Sequence, residues 1–518
     1  MGIPSYFSHL IKEHRKIVQT LQTLQCVDNL YLDSNSIIYD IIHSYEKTPT
    51  NMNTVYNDIC KKIDKYIETC DVQNRIIVAF DGVAPVAKLE QQRTRRFKTT
   101  LLSKLTKELK DNKSEAESKF DTTCITPGTE FMTSMCKYIK NYYKPNKKVI
   151  LSLSDEAGEG EHKIFDYIRN NFIYHTNTTT LIYGLDADLI MLCLNHLDVC
   201  PNIYLYRETP EFVKHLDDTL EPNKDYILNI KMLADKLSLK LTNKDTFNMN
   251  VIHDYIVLCF FLGNDFMPHF PSLNIRRNGI DVLMEAYNKC KCDNSDFSLT
   301  ANKELNWKHI KEIVDLISNE EISLLKNETK YREKMQKRYY PVNTFEEKEY
   351  KLTSMPIIDR IKETYINPEE HGWEERYYDV CLHMKRDKIR LNQICTNYME
   401  ALEWTYKYYR FGCQDWEWKY NYNYPPLLCD LKNYIPYFET LFIKEKPKNP
   451  IHHYVQLSYV LPPSSHYLLP RSIVDKLKDI PECFPEDINM EYMYCRYLWE
   501  AHLNIEDVEI SKLKEIMI

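Results

Sequence analysis

Glycine is nearly missing from this chain, at 10 residues in 518, where an average protein carries about 7%. So little of the most permissive residue leaves few flexible loops and predicts a helix-rich fold. No run is long and apolar enough to predict a membrane-spanning helix. The start, Met1-Gly-Ile-Pro-Ser-Tyr6, has no apolar signal core, and Tyr6 breaks the myristoylation pattern. No pair of Cys-x-x-Cys motifs occurs, which argues against structural zinc. The 16 cysteines are scattered, and Cys193, Cys259 and Cys395 lie in apolar or helical contexts expected of reduced core thiols. Basic charge is not in excess: the net charge of −8 excludes a general nucleic-acid coat and leaves room for a local basic patch. Internal repeats and low-complexity tracts are absent. An intracellular protein is expected, cytoplasmic with the nucleus left open, and 518 residues predict more than one domain.

The scarce glycines mark something. Five of them (Gly82, Gly158, Gly160, Gly184, Gly263) lie within two residues of one of seven carboxylates: Asp33, Asp81, Glu159, Glu161, Asp186, Asp188 and Asp265. Several apolar runs end in one of these acids. Asn29–Asp33, Arg75–Asp81 and Thr180–Asp186 are short, continuous and rich in branched and aromatic residues, as buried strands are. Val149–Ser154 reads the same way, with Glu159 just beyond it. Helical patterns at 55–69, 87–110, 130–142 and 161–171 separate them. Alternation of this kind predicts an α/β fold with a mostly parallel sheet, whose ligands bind beyond the carboxyl ends of the strands. Asp265 follows the apolar run Tyr255–Gly263, read as a helix that breaks and delivers its acid to the same place.

Clustered carboxylates repel and take up protons unless a cation offsets them. Two Mg²⁺ ions about 4 Å apart, with Mn²⁺ as an expected substitute, suit phosphodiester cleavage. Glu159 and Glu161 would diverge on a regular helix, so Gly158 and Gly160 are expected to bend its start. Seven residues after Asp81 begins Lys88-Leu-Glu-Gln-Gln-Arg-Thr-Arg-Arg-Phe-Lys98. As a helix it places Lys88, Gln92, Arg95 and Arg96 on one face, suited to a terminal phosphate. A third feature is the aromatic block 404–424, where most tyrosines are expected in the core and one or two tryptophans as platforms for bases. Three stretches follow: 1–290 with the metal site and phosphate pocket, 291–370 as a charged helical connector, and 371–518 as an aromatic-rich region completing the pocket.

In this order the segments resemble the XRN family of 5′→3′ exoribonucleases. The resemblance rests on Met1–Pro4, Leu32-Asp33-Ser-Asn35, Phe80–Pro85 running into Lys88…Arg96, and Gly158-Glu-Gly-Glu-His-Lys163. It continues through Tyr183-Gly-Leu-Asp-Ala-Asp-Leu189, Gly263–Pro268, Tyr408–Cys413, Trp416-Glu-Trp418, Tyr422–Pro426 and Gln456–Pro463. It implies a PIN-like nuclease core holding Mg²⁺ through all seven acids. It also implies a 5′-monophosphate pocket of Lys88, Gln92, Arg95 and Arg96, too small for a cap or triphosphate. A first base would stack between Tyr39 and Trp416 or Trp418. Tyr39 and Asn423 stand where the family usually has His. Little chain follows the matched segments, so a compact, viral or protist, monomeric member without partner-docking extensions is expected. The implied activity is processive hydrolysis of single-stranded RNA, decapped mRNA among it, to nucleoside 5′-monophosphates. Two other readings stay open: a flap-type DNA endonuclease with the same core, and a non-catalytic RNA-binding protein.

Overall fold

The structure is a computed structural model describing residues 3, 5–46, 48–109, 120–208, 220–221, 224–244, 246–486 and 488–517. Met1, Gly2 and Pro4 of the opening motif, and Lys110 at the end of an expected helix, lie outside the described residues.

A seven-stranded sheet organises the first half, in the order β1-β7-β6-β5-β2-β3-β4. The strands are β1 (Val18–Thr20), β2 (Val27–Asp33), β3 (Val72–Ala79), β4 (Val149–Ser152), β5 (Thr180–Tyr183), β6 (Ile203–Glu208) and β7 (Asp225–Asn229). From β4 through β6 every pairing is parallel; β7 and β1 add an antiparallel edge. Leu30, Tyr31 and Leu32 of β2 are all fully buried, as expected of a central strand covered on both faces. Successive side chains go to opposite faces. Leu30 and Leu32 join the core beneath helices Met52–Cys70 and Glu130–Tyr143, and Tyr31 joins the core beneath Gly160–Asn170 and Asp188–Asn195.

The strands read from sequence are therefore present, and the fold is the expected mostly parallel sheet flanked by helices. β2 has β3 on one side and β5 on the other. This reversal of strand order opens a crevice at the carboxyl ends of β2, β3 and β5, where ligands bind in open sheets of this kind. Asp33, Asp81 and Asp186 stand there.

The second half is largely helical and packs on the first. Helix Lys388–Phe411 is buried almost continuously from Ile394 to Tyr409. The larger apolar core runs from Ile3 through Trp307 to Tyr494 without a break between halves. A smaller core joins Leu89 and Phe97 of the basic helix Val86–Leu109 to residues 451–513. Among the described residues, no helix is long and apolar enough to cross a membrane.

Candidate active site: acids beside a basic helix

Asp33 is the last residue of β2, and Asp81 lies two past β3. Asn35 brackets Asp81: its side-chain amide donates to Asp81 Oδ2, and its Oδ1 accepts from the Asp81 N–H at 3.1 Å. Glu159 caps the helix Gly160–Asn170 in extended conformation, and Glu161 follows inside its first turn. Both are buried, at 4% and 7% exposure. A glycine precedes each of them. Gly158 takes φ +115°, in the left-handed region, and a Cβ on Gly160 would fall 2.7 Å from Asp33 Oδ1. The Gly160 N–H instead donates to Asp81 Oδ1 at 2.7 Å. Asp188 is buried at the start of its helix, and Asp186 is exposed. Asp265 follows Gly263 (φ +79°), where the Met249–Phe260 helix has ended.

These groups feel one another. Burial, then Asp81, Asp186 and Glu159, push the Asp33 carboxyl well above its ordinary range. Burial and Glu159 raise Asp81 and Glu161, and burial with Asp265 pushes Asp188 up to about 7. Burial would raise Asp265 as well, but the Lys88 ammonium holds it well below. Lys88 Nζ lies 2.6 Å from Glu159 Oε2 and 2.9 Å from Asp265 Oδ2. All seven acids are thus tied by direct contact or repulsion, Asp186 through its action on Asp33 and Asp188. Among the described residues, no three carboxylate, imidazole or thiol groups are gathered tightly enough to hold a metal ion. The donor set nonetheless fits a cation: Glu161 Oε2 and Asp188 Oδ1 are buried without hydrogen-bond partners, and such groups call for compensation.

The basic helix divides its residues. Lys88, expected against phosphate, sits among the acids. Gln92 Oε1 and Arg96 Nη1 are buried and unpartnered, and burial pushes Arg96 down to about 10 despite facing Tyr39. Tyr39 is half-buried and feels both Arg95 and Arg96. Arg95 is exposed and lines a separate cavity of about 820 Å³ bounded by the Asp265 loop, Asn423 and the chain near 493–507.

Two tyrosines that the motifs contain but the sequence reading did not assign reach the acids from helix Lys388–Phe411. The Tyr408 hydroxyl donates to Glu159 Oε1 at 2.6 Å, and Tyr409 hydrogen-bonds Asp188. Tyr408 stacks on His162 at 3.7 Å and on Trp404 at 4.7 Å, and Trp404 stacks on Trp418 at 5.2 Å. Trp418 is half-buried, its indole N–H 3.3 Å from Glu400 Oε2. Trp416 is 6% exposed, with an unpartnered indole N–H and Lys448 5.6 Å over its ring.

The profile of the XRN 5'-3' exonuclease N-terminus matches residues 1–209, and that of the Xrn1 helical domain matches 246–369 and 363–517. The chain belongs to the XRN family. The XRN relatives include a 5'-3' exoribonuclease 2 homolog of Drosophila melanogaster, 28% identical over 100% of this chain and 71% of its own length. The 5'-3' exoribonuclease 2 of Arabidopsis thaliana is 27% identical over 99% and 67%. The 5'-3' exoribonuclease 1 of Saccharomyces cerevisiae is 27% identical over 100% and 43%. Among solved structures, the catalytic core of Rad2 in complex with DNA substrate is 13% identical, covers 82% of this chain and 94% of its own, and superposes with a TM-score of 0.35.

Proposed function

We propose that this XRN-family chain is a 5′→3′ exoribonuclease that hydrolyses single-stranded RNA from a 5′-monophosphate end and releases nucleoside 5′-monophosphates processively. The observation that carries it is the junction of mutually repelling buried acids with a basic helix through Lys88, which contacts Glu159 and Asp265. Asp33, Asp81, Glu159, Glu161, Asp186, Asp188 and Asp265 would hold divalent cations, Mg²⁺ or in its place Mn²⁺. Two such ions would supply an activated water and a stabilised leaving oxygen.

The chain's own groups do the rest. Gln92 and Arg96 grip the terminal phosphate with Arg95 at its rim. Lys88, one helical turn from Gln92, links that pocket to the acids. Tyr39 stacks on the first base from one side, with Trp416 or Trp418 on the other. Residues 371–518 close on the 1–290 core, with 291–370 joining them, and the core is PIN-like. Processivity follows if the pocket re-engages each new 5′ phosphate before the strand escapes. A monomer acting in the cytoplasm is part of the same reading, and sixteen free cysteines suit a reducing compartment.

The test is digestion of matched 5′-monophosphate, 5′-triphosphate and 5′-hydroxyl RNAs with Mg²⁺ or EDTA. Mononucleotides from the monophosphate RNA alone, abolished by EDTA, are expected. Released flap oligomers from branched DNA would favour the endonuclease instead. Asp186→Ala, at an exposed position, should abolish cleavage and keep RNA binding; full activity would overturn the metal assignment.

A further inference from the structure

The charged helix Glu321–Gln336 lies in a stretch whose alternating Lys and Glu read as a solvated connector. Its basic residues are not scattered. Lys330, Lys334 and Arg338 follow one another at four-residue intervals, the last just past the helix end, and all are exposed. Such spacing puts them on one face with about 6 Å of rise per step, close to the separation of neighbouring phosphates on an extended single strand.

That face borders a cavity of about 670 Å³, whose other wall is the 271–278 turn. Arg277 reaches across it, its guanidinium 4.0 Å from the Tyr331 ring centroid. Four cations therefore line the groove with one carboxylate, Glu328, which lies 3.8 Å from Arg277 and 3.9 Å from the buried Arg332, while Glu369, outside the lining, lies 4.0 Å from Lys330. Ser272 Oγ, in the same lining, is buried in a residue only 8% exposed and has no hydrogen-bond partner. Basic residues interleaved with an aromatic face, over an unsatisfied polar floor, are the features of a sequence-tolerant single-strand track.

The groove adjoins the cavity at the Asp265 edge of the candidate active site. The 820 Å³ cavity that contains Asp265 and Arg95 also contains Pro271 and Asn274, and both residues line the second groove as well. We propose that the RNA strand 3′ to the cleaved bond leaves the acids past Arg95, crosses the Pro271–Asn274 turn, and lays its backbone along Lys330, Lys334 and Arg338 with a base against Tyr331. This rests on the exoribonuclease reading and extends it: the helix holds substrate not yet reached by the acids, so it governs affinity for long RNA and not the chemistry.

The experiment compares the full chain with a Lys330→Ala, Lys334→Ala, Arg338→Ala triple variant on two 5′-monophosphate RNAs. One is too short to reach from the acids to this helix, and the other is long. For the long RNA, KM should rise about tenfold with kcat unchanged, and the dependence of log affinity on log salt should flatten by about 2, three lost phosphate contacts at ~0.7 each. The short RNA should be degraded as by the parent, which also shows that the variant folds. A Lys330→Arg, Lys334→Arg variant should keep the parent KM. A triple variant with the parent KM and salt slope on long RNA overturns the track and leaves the groove to a protein partner. A parent chain that degrades neither RNA instead defeats the nuclease reading itself.

Discussion

Tyr408 shows how one residue of the second half can hold an acid of the first. Its hydroxyl donates to Glu159 Oε1 at 2.6 Å, and its ring is clamped between His162 and Trp404. A hydrogen bond to a charged group is worth about 1.5–3 kcal/mol. Removing it by Tyr408→Phe keeps the stacking and leaves Glu159, among the described residues, held by Lys88 alone. If Glu159 holds a cation as proposed, activity should fall about tenfold to a hundredfold, the range for residues that orient metal ligands. The Mg²⁺ concentration for half-maximal rate should rise, with KM for RNA unchanged. A variant with the parent Mg²⁺ dependence would assign Tyr408 to packing alone. The acids were legible because a carboxylate ending an apolar run is unusual and glycine is scarce. Tyr408, Tyr409 and Asn35 were not: with 39 tyrosines in the chain, two more inside an aromatic block look like core, which they also are.

The basic helix and the bent helix start carry the predictions at the scale of elements. Arg96 is largely withdrawn from water with an unpartnered Nη1, a group poised for an anion. Arg96→Ala should lower the preference for 5′-monophosphate over 5′-hydroxyl ends about tenfold or more, a difference of at least ~1.4 kcal/mol. Equal rates on the two ends in the parent chain, or an unchanged preference in the variant, would remove the pocket. Gly160→Ala drives a methyl to 2.7 Å from Asp33 Oδ1 and 3.5 Å from Asp81 Oδ1. Overpacking of this kind costs about 1–3 kcal/mol. Activity should drop far more than the melting temperature, because the displaced atoms are the acids. Of the parallel strands, β2, β3, β4 and β5 were readable as apolar runs, and β6 was not. β1 was not, being three residues long, and the antiparallel β6–β7 pair lacked a short turn to announce it. The face read as Lys88, Gln92, Arg95 and Arg96 is divided, because Lys88 reaches the carboxylates of Glu159 and Asp265.

At the scale of the whole molecule, stability against pH is a balance of two buried sets with opposite signs. Burial and Arg169, with Arg410 and His253 beside it, hold His196 well below its ordinary pKa. Burial and Arg410, against Asp198, push His253 down to about 4, and burial with Lys98 and His269 pushes His502 down to about 3. A histidine whose folded pKa is depressed stabilises the fold above about 6.5 and loses that contribution as pH falls below it. Buried carboxyls run the other way: burial pushes Asp254 up to about 6 and Glu321 up to about 7, so the fold gains from them as pH falls. The two sets oppose each other, so the overall curve isolates neither. The difference between parent and His253→Gln tests one. Between pH 6.5 and about 4, the parent's stability relative to the variant should fall by about 1.4 kcal/mol per pH unit, and above pH 7 the difference should be constant. Denaturant melts across that range measure it. A pH-independent difference would mean that His253 protonates as freely in the folded chain as in the unfolded one, and that the seam where helix Met249–Phe260 meets Lys388–Phe411 is open to water. A flat result would then count against the tight packing of the second region on the first, on which the placement of Tyr408 and Tyr409 depends.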